Sequence, residues 1–154
     1  MVLVSGSLAA SGRPALAPAQ LSTLKAQQPA REALALERLN GARAVMGLTA
    51  ENAFESRRVS TDAFGTLHVH VHQTYRGVPV WGGDAILHLD AENASLPTTD
   101  KLVRGLSLAV SPALEASEAL AIAQRDMKPK GALAYAPSSE LVGVPRFVRS
   151  LPAG

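Results

Sequence analysis

Apolar and polar residues alternate most strictly between Gly65 and Asp90, in the stretch GTLHVHVHQTYRGVPVWGGDAILHLD. Side chains along a strand point alternately to its two faces, so this pattern predicts a half-buried strand with an apolar face and a histidine-bearing face. The apolar face carries Leu67, Val69 and Val71, and the opposite face carries His68, His70 and His72.

A tight turn and a return strand are predicted next. Arg76-Gly77 precedes Val78-Pro79-Val80-Trp81, and the glycine can supply the positive φ that a tight turn requires. Gly82-Gly83 interrupts the return strand, which predicts a bulge before the alternation resumes at Ala85, Leu87 and Leu89. Residues 65–90 are therefore predicted to form a long antiparallel hairpin.

Residues 29–47 predict a helix that covers the apolar face of the hairpin. Pro29 suits the first helical position, and Gly47 suits the position just past the last turn. The apolar residues recur at helical spacing, at Ala35, Leu39, Ala42 and Met46, with Leu36 beside them. Between the helix and the hairpin, Phe54 to Ser60 predicts a strand and Asp62 to Gly65 predicts a turn.

The composition changes after Asp90, and a domain boundary is expected there. Residues 91–100 contain Asn, Ser, Pro and Thr, which favours a loop, and Leu102 to Leu108 predicts a further strand or an extended linker. Ser111-Pro112 is expected to open a second helix, which Pro129 and Gly131 end, and Glu140 to Val144 predicts a short strand. The apolar stripe of that helix is Leu114, Leu120, Ala121, Ala123 and Met127.

The predicted fold class is α+β, with an antiparallel sheet built on the hairpin, a helix on one face and a partial second α+β module. The N-terminal 28 residues lack steady periodicity and are expected to form a flexible arm. Their Ala15-Leu16-Ala17 segment resembles a cleavage site, but no basic n-region precedes it. This favours a leader remnant or an artificial start over a signal peptide.

Composition excludes several classes of protein. Hydrophobic residues make up 47% of the 154 residues and charged residues 18%, so the chain is not intrinsically disordered. With no cysteine it has neither disulfides nor thiolate metal sites. Lys and Arg number 15 against 13 acidic residues, with only Arg57-Arg58 adjacent, which argues against nucleic acid. No apolar run reaches the roughly 18 residues of a membrane span.

The alternating histidines raise the possibility of a metal site. With a rise of about 3.3 Å per residue, the backbones of His68 and His72 lie roughly 13 Å apart, too far to share one tetrahedral ion. At most two histidines from the set His68, His70, His72 and His88 could bind one metal. A solvated polar strand face is the preferred interpretation, and no cofactor is predicted.

Sequence motifs for catalysis are missing from the chain. It contains no Gly-x-Ser-x-Gly elbow, no His-Glu-x-x-His pair and no phosphate loop, and Asp84, Asp90 and Glu92 suit turns better than acid–base chemistry. Tyr75 and Trp81 are interpreted as packing aromatics. Gln73 shares the inward face with Val71, so it must find buried hydrogen-bond partners. A non-catalytic module is predicted.

The hairpin resembles the fungalysin/thermolysin propeptide domain, which precedes the catalytic part of secreted thermolysin-family zinc metallopeptidases. The residues that carry the resemblance are Asp62, Gly65, His68, Gln73, Tyr75, Gly77, Pro79, Val80, Gly82 and Gly83, followed by Leu87-His88-Leu89. Residues 106–154 resemble the start of a PepSY-type module. The resemblance implies a propeptide-like domain over residues 29–92 and a linker over 93–105.

The resemblance also implies a function without catalysis in this chain. Such propeptides act as intramolecular chaperones and inhibitors of a thermolysin-family catalytic domain, which is the implied partner, in a secreted or periplasmic precursor. The family often has Arg where this chain has His70, so any ion pair of that Arg is replaced or made pH-dependent. The second module is expected to be truncated, and Arg146 to Arg149 is a candidate segment for filling the protease cleft.

Overall fold

A four-stranded antiparallel sheet is the centre of the structure, a computed structural model that describes residues 14–128, 131 and 135–144. The strands lie side by side in chain order: β1 (Asn52–Thr61), β2 (Leu67–Tyr75), β3 (Val78–Leu89) and β4 (Ser95–Asp100). The helices found in these residues are α1 (Pro18–Ala26), α2 (Gln28–Ala42) and α3 (Ala116–Met127). The predicted α+β class is confirmed.

The predicted hairpin is formed by β2 and β3. Leu67 pairs with Leu89 at the open end, and Tyr75 pairs with Val78 at the turn. Both turn residues adopt positive φ, 49° at Arg76 and 79° at Gly77. A two-residue turn with positive φ at both positions matches the right-handed twist of the strands that it connects. The predicted strand upstream is also confirmed, and β1 pairs with β2 over nearly its full length.

The core lies between α2 and the inner face of the sheet, as the sequence predicts. Ala35 and Leu39 of α2 are 3% and 4% exposed, and they share one buried cluster with the apolar face of the hairpin. The sheet residues of this cluster are Leu67, Val69, Val71, Ala85, Leu87 and Leu89. Burial of this apolar surface is the main stabilising contribution to the fold.

Helix α2 is shorter than predicted. It ends at Ala42, and turns continue the chain to Gly47, whose φ of 72° fits the predicted stop. The Leu48 amide donates to the Arg43 carbonyl at 2.9 Å, and the Leu48 side chain joins the core at 6% exposure. Helix α2 ends early because the chain must turn inward to bury Leu48.

The prediction of an unstructured arm is wrong for residues 18–26, which form α1. The Leu16 amide donates to the Ala63 carbonyl at 2.9 Å, and the side chains of Leu16 and Leu24 lie over Gly65. Helix α1 has little amphipathic pattern of its own and buries no residue completely, so the tertiary contact decides its position. Residues 1–13 lie outside the described residues.

The prediction of a loop over residues 91–100, and of a linker from residue 93, is wrong where β4 forms. Strand β4 pairs with β3, with Leu96 opposite His88 and Thr99 opposite Ile86. Pro97 lies in the irregular part of this edge strand, where a missing N–H is tolerated. Beyond β4, Leu102 is 4% exposed and belongs to the core, while residues 101–110 form no strand.

The C-terminal part of the described chain differs from the predicted elements at two places. Helix α3 begins at Ala116 after Glu115, so the expected start at Ser111-Pro112 is wrong, and none of its residues is fully buried. The predicted strand from Glu140 to Val144 is reduced to one parallel bridge between Gly143 and Val80. The second module and the domain boundaries therefore stay predictions.

Candidate functional site

Gln73 is the buried polar centre of the hairpin, as its inward parity predicts. Its side chain is fully buried, and its amide nitrogen donates to Asn52 Oδ1 at 2.6 Å and to the Val103 carbonyl at 2.8 Å. Its amide oxygen accepts from the Val103 amide at 2.8 Å. One side chain thus links β1, β2 and the segment that follows β4.

The glycine pair makes room for this amide. On β3, residues 80–83 stand opposite Gln73 alone, which is the bulge that Gly82-Gly83 predicts. Gly82 has a φ of 73°, and a Cβ on Gly83 would lie 2.7 Å from Gln73 Oε1 and 3.0 Å from Gln73 Cβ. Only glycine lets the backbone approach the buried amide so closely.

The hairpin turn is held by Glu51. Its carboxylate accepts from Tyr75 Oη at 2.9 Å and from Arg76 Nε at 2.9 Å, and the Arg76 amide donates to its carbonyl at 2.8 Å. The hydrogen bonds from Arg76 and Tyr75 lower the pKa of Glu51. Tyr75 is 3% exposed, so its predicted packing role is confirmed, whereas the same prediction for Trp81 is wrong because Trp81 is 69% exposed.

On the outer face, His68 and His88 face each other from directly paired positions. Their Nδ1 atoms are 2.8 Å apart, and His68 Nε2 lies 3.2 Å from Asp62 Oδ2. An ionised carboxylate only accepts, so His68 carries its proton on Nε2, and His88 Nδ1–H donates to His68 Nδ1. The three side chains form one chain of hydrogen bonds from β3 to the turn before β2.

The pKa values of two members of this hydrogen-bond chain, His88 and Asp62, are shifted. Burial lowers the pKa of His88 because a buried site disfavours the charged form, and the neighbouring His68 and His70 lower it further because positive charges repel one another. Burial alone would raise the pKa of Asp62, but hydrogen bonds from the Thr66 amide, His68 and the Phe64 amide lower it overall. The carboxylate therefore remains charged while His88 resists protonation.

The other two histidines have different surroundings. His72 Nδ1 lies 2.8 Å from Asp84 Oδ1 across the hairpin. His70 is half-buried between them on β2, opposite Arg58 on β1 and Ile86 on β3. The structure thus brings His68 and His88 into direct contact, while His70 lies near enough to lower the pKa of His88 and His72 pairs with Asp84 instead.

The described residues hold no gathered set of metal ligands. Within these ranges, no three His, Asp or Glu side chains are gathered closely enough to hold a metal ion. None of the helices in the described part of the chain is long and apolar enough to cross a membrane. The predicted cleft-filling segment, Arg146 to Arg149, lies outside the described residues.

Arg31 is a structural residue that the sequence analysis missed. It is only 2% exposed, and its guanidinium donates to the carbonyls of Gly65 at 3.1 Å and Asp90 at 2.5 Å and to Asn93 Oδ1 at 2.8 Å. Burial lowers its pKa, while Asp90 and Glu92 act in the opposite direction. Its position one turn before Ala35, on the buried stripe of α2, is the signal that could have identified it.

The residues singled out in the sequence lie at the two ends of the hairpin. Asp62, Gly65 and His68 are at the open end, near Arg31. The others lie around the turn and the bulge: Gln73, Tyr75, Gly77, Pro79, Val80, Gly82 and Gly83. All of them shape the backbone or the hydrogen bonds of the sheet, and this arrangement defines a structural module.

The comparisons with known proteins agree with this class. Residues 52–94 match the family model described as Fungalysin/Thermolysin Propeptide Motif, from the first residue of β1 to the turn before β4. No curated protein and no solved structure matches the chain. Residues 52–94 therefore carry a propeptide motif of the fungalysin/thermolysin type, and such a motif suggests a non-catalytic region of a protease precursor. A protease catalytic domain is the partner to which this motif points.

Proposed function

We propose that the chain acts as an intramolecular chaperone and inhibitor of a thermolysin-family zinc metalloprotease, in a precursor that is secreted or periplasmic. The observation that supports this most strongly is the propeptide motif over residues 52–94. In this proposal the catalytic domain of the precursor lies outside this chain and is its binding partner.

The architecture suits a folding template. Gln73, Arg31 and Glu51 fix the hairpin by hydrogen bonds at its middle and at both ends, so the sheet presents a preformed surface. A preformed surface loses little conformational entropy on binding. A partner that binds the native catalytic domain and not its unfolded chain stabilises the native state by mass action.

The test is a titration of the chain against its mature cognate protease, with peptidase activity and complex formation measured in parallel. Refolding yield of the denatured catalytic domain, with and without the chain, gives the chaperone activity. We expect binding, inhibition and a higher yield of active protease. A Gly41→Ala variant is the control for an ordinary substitution: a Cβ there meets no atom within 4 Å, so the variant should fold and bind as wild type does. Absence of binding at micromolar concentrations would contradict the proposal.

The alternative is an independent metal-binding module, and one observation favours a particular pair for it. The His68 and His88 Nδ1 atoms are 2.8 Å apart, so a small outward shift would bring them to the roughly 3.3 Å that separates two nitrogens on one tetrahedral ion. A structural zinc site takes four ligands, and this pair supplies two, so the propeptide function is preferred. A rise in melting temperature with ZnCl₂ that disappears in His88→Gln would support the alternative, and an unchanged melting curve would exclude it.

A further inference from the structure

A groove of about 400 Å³ crosses the outer face of the sheet and is separate from the His68–His88 pair. One row of paired residues runs across all four strands beneath it: Arg58, His70, Ile86 and Thr99. Lys101, just after β4, lies on the groove next to Asp84, whose carbonyl accepts from the Lys101 amide at 2.8 Å. Ile86 and the His70 ring form its half-buried floor.

Some of the charged side chains around this groove have ion-pair partners and others do not. Asp100 lies 2.9 Å from Arg104, whereas Asp84 lies 2.8 Å from His72 Nδ1, a contact that offsets the charge of Asp84 only when His72 is protonated. Arg57 pairs with Glu55 on its own strand. Arg58 and Lys101 are exposed, and neither makes an ion pair or side-chain hydrogen bond to another residue in the described part of the chain. Arg58 and Lys101 outnumber Asp84 on the groove, so the charge that faces it is positive on balance.

The dimensions favour an extended anionic ligand. Neighbouring strands lie about 4.8 Å apart, so the backbones of Arg58 on β1 and Thr99 on β4 are separated by roughly 14 Å. A peptide that carries several carboxylates can contact both Arg58 and Lys101 while its backbone passes over Ile86.

We propose that this groove binds an acidic segment of the protease catalytic domain. The identity of the partner rests on the proposed function, whereas the preference for an acidic peptide rests on Arg58 and Lys101 alone. Charge complementarity of this kind controls the association rate and the orientation of the partners.

The first test uses the cognate protease domain and a pair of double variants with the same change in charge. Arg58→Glu/Lys101→Glu reverses the groove, and Lys25→Glu/Arg125→Glu reverses two exposed cations elsewhere, on α1 and α3. We expect the groove variant to bind at least about tenfold more weakly than wild type and the control to bind nearly as wild type. Equal affinities for the two variants would overturn the inference while leaving the proposed function intact.

The second test does not depend on the protease. The whole chain is titrated with a short peptide of alternating glutamate and glycine, with the glutamine analogue as a neutral control, and NMR shifts of the His70 ring and the Ile86 methyl groups are followed. Saturable shifts with the acidic peptide only, weakened by salt and lost in Arg58→Glu/Lys101→Glu, support the groove even if the protease does not bind. Shifts that are absent, or equal for both peptides, overturn it.

Discussion

Gln73 shows how much one buried amide can organise. It joins Asn52 on β1 to both backbone groups of Val103, which lies thirty positions along the chain. Buried polar groups without partners are costly, so these groups depend on one another. The inward face of β2 can tolerate a polar residue here only because the β3 bulge admits its side chain.

We expect Gln73→Leu to lower the free energy of unfolding by about 3 kcal/mol, because Asn52 and Val103 lose their buried partners. Urea denaturation followed by circular dichroism measures this. Gln124→Leu, an exposed position on α3, is the matched control and should change stability by less than about 0.5 kcal/mol. Equal effects at the two positions would show that the Gln73 network contributes little.

The His68–His88 pair predicts a pH dependence. The pKa of His88 is lower in the folded state than its ordinary value of 6.5, so the unfolded chain binds more protons than the folded chain below that pH. The contribution of His88 to the free energy of unfolding is therefore fully present above pH 6.5 and is lost as the pH falls below it. The groups that act on His88 are His68, with Asp62 behind it, and His70.

Replacing His88 by Gln should reduce this loss, because Gln can still donate to His68 Nδ1 but does not titrate. The measurement is urea denaturation at a neutral and a mildly acidic pH, above the range in which carboxylates titrate. His72→Gln, on the same face, retains His88 and should keep the wild-type decrease. A decrease that is identical in wild type and His88→Gln would contradict the assignment.

Among the elements, the bulge in β3 and helix α2 give glycine two opposite roles. Gly83 lies against the Gln73 side chain, whereas Gly41 is in the last turn of α2 with no atom near its missing Cβ. The same substitution should therefore have opposite signs at the two positions. Backbone geometry at the bulge requires glycine, while in the helix glycine only increases the entropy of the unfolded chain.

We expect Gly83→Ala to destabilise the protein by about 2 kcal/mol, because its Cβ would overlap the buried amide and force the strands apart. Gly41→Ala should stabilise it by about 0.5–1 kcal/mol through higher helix propensity. Thermal denaturation of the two variants beside wild type measures both shifts. A Gly83→Ala variant as stable as wild type would mean that the bulge adjusts freely.

In the whole molecule, Arg31 connects α2 to the open end of the sheet. Its guanidinium reaches three carbonyls, those of Gly65, Leu89 and Asp90, and the side chain of Asn93. These groups belong to the turn before β2 and the turn after β3, which lie together at the open end of the hairpin, where α1 also packs. One cation therefore fixes the helix layer relative to the sheet.

Arg31→Met should lower the free energy of unfolding by about 2–4 kcal/mol, since several buried carbonyls lose a charged donor. Arg38→Met is the matched control: Arg38 donates to the Asn93 carbonyl and Ser95 Oγ at an exposed site, so its loss should cost below about 1 kcal/mol. Urea denaturation and amide hydrogen exchange at Gly65 and Asp90 distinguish the two. Equal losses of stability in the two variants would show that the buried hydrogen bonds of Arg31 contribute no more than the exposed ones of Arg38.

Patterns of local origin were predictable from the sequence. The alternation in β2, the turn at Arg76-Gly77, the glycine bulge, the buried stripe at Ala35 and Leu39, and the inward position of Gln73 are all present in the structure. They follow from the period of a strand or helix and from the φ that glycine allows, and both properties depend only on residues close in the chain.

The remaining features depend on residues distant in sequence, and only the tertiary structure decided them. Strand β4 has little apolar pattern, because it forms by backbone pairing along the edge that β3 offers. Helix α1 takes its place from Leu16 and Leu24 over Gly65, and Arg31 finds its carbonyls across more than thirty residues. The His68–His88 contact and the Arg58–Lys101 groove likewise arise only when separate strands are placed in register, since pairing fixes which side chains meet.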